Sequence, residues 1–236
     1  MSYAASALYY GQKVLILDTE SEISLYKKKQ IKIFEPNLEK ILNQFSKNFK
    51  ISSNFDDAKK SDIIFLAKDI KTDKKNNVLL KESENLLKKI KLYRKKILVI
   101  MNQVPVGFTR KIKWNKNQLF HFVETLVFGN AINRAIKPER IIIGKENIEN
   151  KISIKLLYFL KLYNCEIIQM TYEESELTKG FINTYLASQL ITTNFLSEIA
   201  NYYKSNWNRI IHAVTMDKRI GEKGYFKPGL GISGGN

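Results

Sequence analysis

Lys179 and Asn183 stand four residues apart in the stretch ELTKGFINTYLA (176–187). On a helix that spacing puts an ammonium and a carboxamide on one side, a turn apart. Such a pair can hold a developing alkoxide, or orient the water that takes the proton from an alcohol. The same spacing also suits a surface lysine beside a packing asparagine, and on spacing alone both readings stand. At the end of the chain, KPGLGISGGN (227–236) holds four of the protein's eleven glycines. Glycine is dense where backbone takes positive φ or presses against a ligand, so this run reads as a binding loop.

The element that must position the pair is a long helix, predicted from about Glu173 to Tyr203. Glu176, Lys179, Asn183, Ala187, Asn194 and Ser197 share one narrow stripe of it. Leu177, Phe181, Ile182, Tyr185, Leu186, Ile191, Phe195 and Ile199 cover most of the rest, so the helix is expected to be buried nearly all round. A polar stripe on such a helix needs partners or a polar cavity, because burying an unpaired amide or ammonium costs several kcal/mol. A second helix is predicted from Asn206 to about Met216.

Upstream, VLILD (14–18), DIIFLA (62–67), ILVIM (97–101), LFHFVE (119–124), RIIIG (140–144) and EIIQM (166–170) read as strands. Residues 3–10, 38–46, 79–94 and 151–163 read as helices. Near-continuous Ile, Leu and Val runs joined by helices indicate parallel strands covered on both faces, a doubly wound α/β domain.

Composition narrows the function classes. The 236 residues, 44% hydrophobic and 26% charged, suit a globular protein with an adequate core. No apolar run approaches the roughly 18 to 20 residues of a membrane span, and no signal peptide is visible, so the cytoplasm is the expected location. Cys165 is the one cysteine, which excludes an internal disulfide; with only His121 and His212 beside it, no metal site is expected. Cys165 reads as an unreactive thiol in a buried strand. A net charge of +16 invites a nucleic-acid reading. The lysines, however, are scattered among isoleucine and asparagine, with no basic face alternating with stacking aromatics. Small anionic molecules are the better expectation.

Taken in order, several stretches resemble the UDP-glucose/GDP-mannose 6-dehydrogenase family: EPNLE (35–39) its EPxLE signature, NQVPVGFT (102–109) its STVPVGT, and VETLVFGNAINRAIKPERIIIG (123–144) its PEFLREGxAxxDxxxPxRIVIG. ELTKGFINTYLA, NFLSEIA (194–200), DKRIG (217–221) and the terminal PGLGISGG resemble the later motifs. The resemblance implies an NAD-binding Rossmann-like domain over residues 1–172. A central helical domain over 173–236 would hold the start of a substrate loop and form a homodimer. By the same resemblance Lys179 and Asn183 are catalytic, and Glu124 joins them around the reacting carbon. Arg219 reaches the substrate of the neighbouring subunit, and Tyr225 and Gly231 belong to the backbone around a nucleotide sugar. Asp18, ending its strand, sits where an acidic side chain takes the two ribose hydroxyls, favouring NAD over NADP; outside that frame it would read as a turn former.

The departures from the family fall at both ends and on the cofactor side. The resemblance places a first strand and a GxGxxG turn before residue 1, leaving a central sheet position unpaired, and a third nucleotide-binding domain after residue 236. The family's reactive cysteine corresponds to Asn236, which cannot form a thiohemiacetal. The threonines of its VGTP and STVP turns correspond to Ile70 and Gln103, and the second glutamate of PEFLREG to Phe128. The expected chemistry is therefore oxidation of a sugar C6 alcohol as far as the aldehyde, or its reverse. The alternative is a noncatalytic relative that keeps the dimer core and a sugar-nucleotide pocket.

Overall fold

The computed structural model describes residues 1–27, 35–75, 78–221 and 224–229. The chain divides into two compact units, Met1–Leu177 and Thr178–Asn236.

The first unit runs α1 (Ser2–Tyr9), β1 (Val14–Leu17), α2 (Glu20–Lys27), α3 (Leu38–Gln44), β2 (Phe49–Ser52) and β3 (Ile63–Leu66). It continues with a small hairpin, β4 (Lys71–Thr72) and β5 (Val78–Leu79), then α4 (Lys81–Lys89), β6 (Ile97–Ile100), α5 (Phe108–Lys111), β7 (Leu119–Phe122) and α6 (Ala131–Ile136). It closes with β8 (Arg140–Lys145), α7 (Ile154–Lys161), β9 (Glu166–Thr171) and the start of α8 (Tyr172–Tyr202). The main sheet has the order β3-β6-β7-β8-β9. Its pairings are parallel except for β7 with β8, which run antiparallel with His121 opposite Gly144. That one reversal departs from the parallel reading: β8 starts from the edge where β7 ends.

Alternation along each strand sends side chains to both faces. Ile97, Val99, Phe120, Ile141 and Ile143 pack under Leu156 and Leu160 of α7. Leu98, Ile100 and Leu119 pack on the other face against Phe108, Trp114 and Tyr172. With both faces covered, β6 and β7 are fully buried, and each such side chain contributes about 1.5–3 kcal/mol. The pair β1–β2 forms a separate parallel sheet. It is overlaid by a third apolar cluster that joins α1, α3 and α6 through Leu8, Ile41 and Ile132. β1 and most of β3 are only half-buried; the two strands belong to different sheets, and among the described residues each pairs with a single strand.

Two expectations change. Cys165 is half-buried just ahead of β9, and β9 is a half-exposed edge strand rather than a buried one; burial still pushes the thiol's pKa up, away from reactivity. The long helix is not buried all round. Phe181, Tyr185, Ile191 and Phe195 are 66%, 69%, 69% and 61% exposed. The sheltered side is the polar stripe: Glu176, Thr193, Ser197 and Ala200 are buried, and Lys179, Asn183 and Asn194 half-buried.

The second unit holds the rest of α8, a turn with Lys204 at positive φ, and α9 (Trp207–Thr215), whose N-cap Asn206 accepts from the Arg209 N–H. Among the described residues no helix is long and apolar enough to cross a membrane. Nor, among them, do three His, Cys, Asp or Glu side chains gather where they could hold a metal ion.

Candidate functional site

Four residues singled out in the sequence follow strand ends of the first unit. Asp18 follows β1, Ile70 lies beyond β3, Gln103 beyond β6 and Glu124 beyond β7. β3, β6 and β7 are adjacent and parallel, so their carboxyl ends form one edge, where open α/β sheets bind ligands. Gln103 is exposed on that edge. Ile70 turns inward against the Leu98–Trp114 cluster, and Phe128 is exposed. The Glu124 carboxylate accepts the Leu126 N–H and helps burial hold the Tyr3 hydroxyl above its ordinary pKa.

Asp18 is held from two sides. It accepts the Thr19 N–H at 2.8 Å, and the Lys68 ammonium lies 3.4 and 3.3 Å from its two oxygens. Lys68 also approaches Glu22 at 3.4 Å and Glu82 at 3.9 Å. Burial alone would lower the Lys68 pKa, but the three carboxylates, Asp18 foremost, outweigh it and hold it above the usual lysine value. The Lys68 carbonyl is in turn fixed by the Asn102 side chain at the end of β6. Beside Asp18, between α2 and the end of β2, opens a cleft of about 400 Å³ lined by Glu20, Ile23, Ser24, Ile51, Ser52 and Ser53.

Two buried glutamates organise the turns on this edge. Glu176, at the start of α8, accepts the N–H groups of Gly107 at 2.6 Å and Thr109 at 2.8 Å. Glu35 accepts those of Gly129, Ala131 and Ile132 at 3.0, 2.6 and 3.4 Å. Each caps the N-terminus of a short helix, α5 or α6, which a glycine at positive φ has just turned. Nothing local in the sequence shows these caps; their signals are the VPVGFT, VFGNA and EPNLE motifs themselves.

Behind the edge, His121 is 2% exposed, with Nδ1 2.8 Å from Ser175 Oγ. Ser175 donates to the Tyr172 carbonyl, and the Tyr172 hydroxyl donates to Leu119 O, both at 2.8 Å. Burial pulls the His121 pKa down to about 4, with the Asn102 carbonyl opposing it. Gly144 faces this group so closely that a methyl there would stand 2.0 Å from Ser175 Oγ and 2.9 Å from its Cβ.

In the second unit, Lys179 and Asn183 lie one turn apart on the sheltered side of α8 and both engage partners. The described part of the terminal loop docks farther along the same helix. Asn194 exchanges two 2.9 Å hydrogen bonds with the Gly229 backbone, Thr193 donates to Tyr225 O at 2.5 Å, and Trp207 donates to Phe226 O at 3.1 Å. Arg219 is exposed and forks onto Asp217 at 3.0 and 2.6 Å. Gly231 and Asn236 lie outside the described residues.

A largely parallel sheet covered on both faces, beside a two-stranded sheet whose β1 leads into Asp18, is an open α/β architecture of the kind that takes dinucleotides at strand ends; a helical unit follows it. The sequence profile of the "UDP-glucose/GDP-mannose dehydrogenase family, NAD binding domain" matches residues 2–161, and that of the family's "central domain" matches residues 173–236. The chain belongs to the UDP-glucose/GDP-mannose dehydrogenase family. It is 31% identical over 229 residues to a UDP-glucose 6-dehydrogenase of Campylobacter jejuni, covering 94% of this chain and 58% of the relative. It is 28% identical over 245 residues to that of Bos taurus, covering 94% and 49%. The chain thus spans about half the length of these curated relatives. Its fold matches a solved UDP-glucose dehydrogenase from Pyrobaculum islandicum with a TM-score of 0.86 at 24% identity, over 99% of this chain and 58% of that one.

Proposed function

We propose that this chain carries the cofactor-binding and reacting parts of an NAD-dependent dehydrogenase acting on the C6 alcohol of a nucleotide-linked sugar. The observation that carries the reading is the match of residues 2–161 to an NAD-binding domain, in which Asp18 directly follows β1. The residues present fit the adenosine half of the dinucleotide. Asp18 offers a carboxylate for the ribose diol, and the adjacent cleft offers Ile23 and Ile51 for the faces of a purine, with serine hydroxyls for its edge.

When bound, NAD would supply the hydride acceptor. The chain's own part is to manage charge and proton at the sugar oxygen: the Lys179 ammonium and the Asn183 amide stabilise the forming alkoxide or position the water that takes its proton, with Glu124 in support. Tyr225, Gly231 and the terminal loop would enclose the sugar nucleotide, and Arg219 would serve the neighbouring subunit. Asn236, at the position of the family's cysteine, offers no nucleophile, so the reaction stops at the aldehyde.

Titration with NADH, followed by its fluorescence, tests this reading. Saturable binding is expected in the wild type, weakened about tenfold or more by Asp18→Ala, which removes both ribose acceptors. Absence of NADH binding would sink the assignment.

The exposed face of α8 supports a homodimer formed by the central helix. Four aromatic or branched side chains along successive turns present an apolar surface of the kind that interfaces cover. Sedimentation is expected to give a dimer, and Phe195→Glu together with Ile191→Glu a monomer; an unchanged sedimentation coefficient in the double variant would contradict it.

A further inference from the structure

We propose that Lys68 sets the affinity and selectivity of the ribose site by competing with the ribose diol for Asp18; this rests on the assignment of Asp18 given above. Asp18 has about four lone-pair positions. The Thr19 N–H takes one, and the Lys68 ammonium lies across both oxygens at 3.3 and 3.4 Å. These distances exceed the roughly 2.7–2.9 Å of a tight ammonium–carboxylate bond. The ammonium therefore spans the carboxylate without being locked to either oxygen.

It also has somewhere else to go. Glu22 at 3.4 Å and Glu82 at 3.9 Å, on α2 and α4, already share it and can keep it when ribose hydroxyls take Asp18. The Asn102 clamp on the Lys68 carbonyl fixes the root of the side chain, and the three carboxylates lie within reach of its end. The raised pKa keeps the ammonium charged throughout the neutral range.

The consequence differs between the two dinucleotides. A neutral ribose diol meets Lys68 as a competitor. A 2′-phosphate meets it as a cation among three carboxylates, so Lys68 softens a rejection that the carboxylates alone would make severe. Removing the ammonium should tighten NADH and weaken NADPH together.

The test is fluorescence titration of wild type, Lys68→Met and Lys68→Arg with NADH and NADPH. Lys68→Met is expected to raise the NADPH-to-NADH Kd ratio by about tenfold or more, with NADH itself bound more tightly, and Lys68→Arg to return the ratio toward wild type. Should Lys68→Met fail to fold, Lys68→Gln carries the same titration. A ratio that stays put, or both dinucleotides weakening in parallel as for a purely structural lysine, overturns the proposal while leaving Asp18 in place. Loss of NADH binding in every protein, wild type included, removes the Asp18 assignment and this inference with it. In the ligand-free chain, a double-mutant cycle of Lys68→Met with Asp18→Asn under urea is expected to be non-additive; additivity would also overturn the contact on which the proposal stands.

Discussion

Replacing Glu176 with alanine is expected to lower the stability of the chain by about 4 kcal/mol, read as a shift in urea midpoint at neutral pH. The carboxylate is 4% exposed and accepts two backbone N–H groups, at 2.6 and 2.8 Å. Hydrogen bonds to a charged group each contribute about 1.5–3 kcal/mol, and of the donors left behind that of Thr109 is fully buried and has no water to turn to, while Gly107 is half-buried. Glu176→Gln keeps the shape and one acceptor oxygen but sets an amide NH₂ against the second N–H, so it should cost about half as much. A loss of this size is a large part of the about 5–15 kcal/mol that holds a typical domain together. The damage should begin in α5, visible as faster hydrogen exchange over residues 107–111. A midpoint shift of the size of an ordinary surface substitution in both variants would show that the carboxylate does not hold that turn.

The second large effect is on pH dependence. His121 is neutral in the folded chain down to about pH 4, against 6.5 for an ordinary histidine. Between those values the unfolded chain binds a proton that the folded chain refuses, so stability falls as pH drops from 6.5 to 4 and is unaffected by this residue above 6.5. The loss across the window is on the order of 3 kcal/mol. Other groups also titrate as pH falls, notably Asp62 and Glu173, whose pKa values lie below the ordinary carboxylate values through hydrogen bonds to Lys155 and Arg110. The difference between wild type and His121→Gln therefore isolates the imidazole. The variant's stability curve should be flatter between pH 6.5 and 4, and parallel curves would mean that His121 takes its proton without unfolding.

Much of the architecture was legible because it is written in short-range pattern. Runs such as ILVI and RIIIG announce strands buried on both faces, and both are found. β2 was missed because FKIS alternates lysine with apolar residues for only four positions, and α6 because AINRAI is a six-residue helix capped from elsewhere. The long helix shows the limit of periodicity. It placed the polar stripe of α8 correctly but not which side faces solvent, because an apolar majority is buried only if something covers it. Asp18 and Glu124 were legible at the ends of strand runs, and Gln103 only through the family resemblance. Lys68 was not, since its three carboxylates come from α2, α4 and the end of β1 and meet only in three dimensions. The caps from Glu35 and Glu176 reach across 94 and 69 residues, beyond any local signal.

Gly144, Ser175 and His121 occupy one packed spot, where the antiparallel turn of the sheet meets the first turn of the long helix. No methyl fits on the first without displacing the second, and the second is the hydrogen-bond partner of the third. Drift at any one of these positions is thereby tied to the others: a side chain at 144 demands a smaller residue at 175, which takes from the imidazole its Ser175 partner. Across related chains the three should change as a set, so an unusual residue at one of them flags compensation at its neighbours.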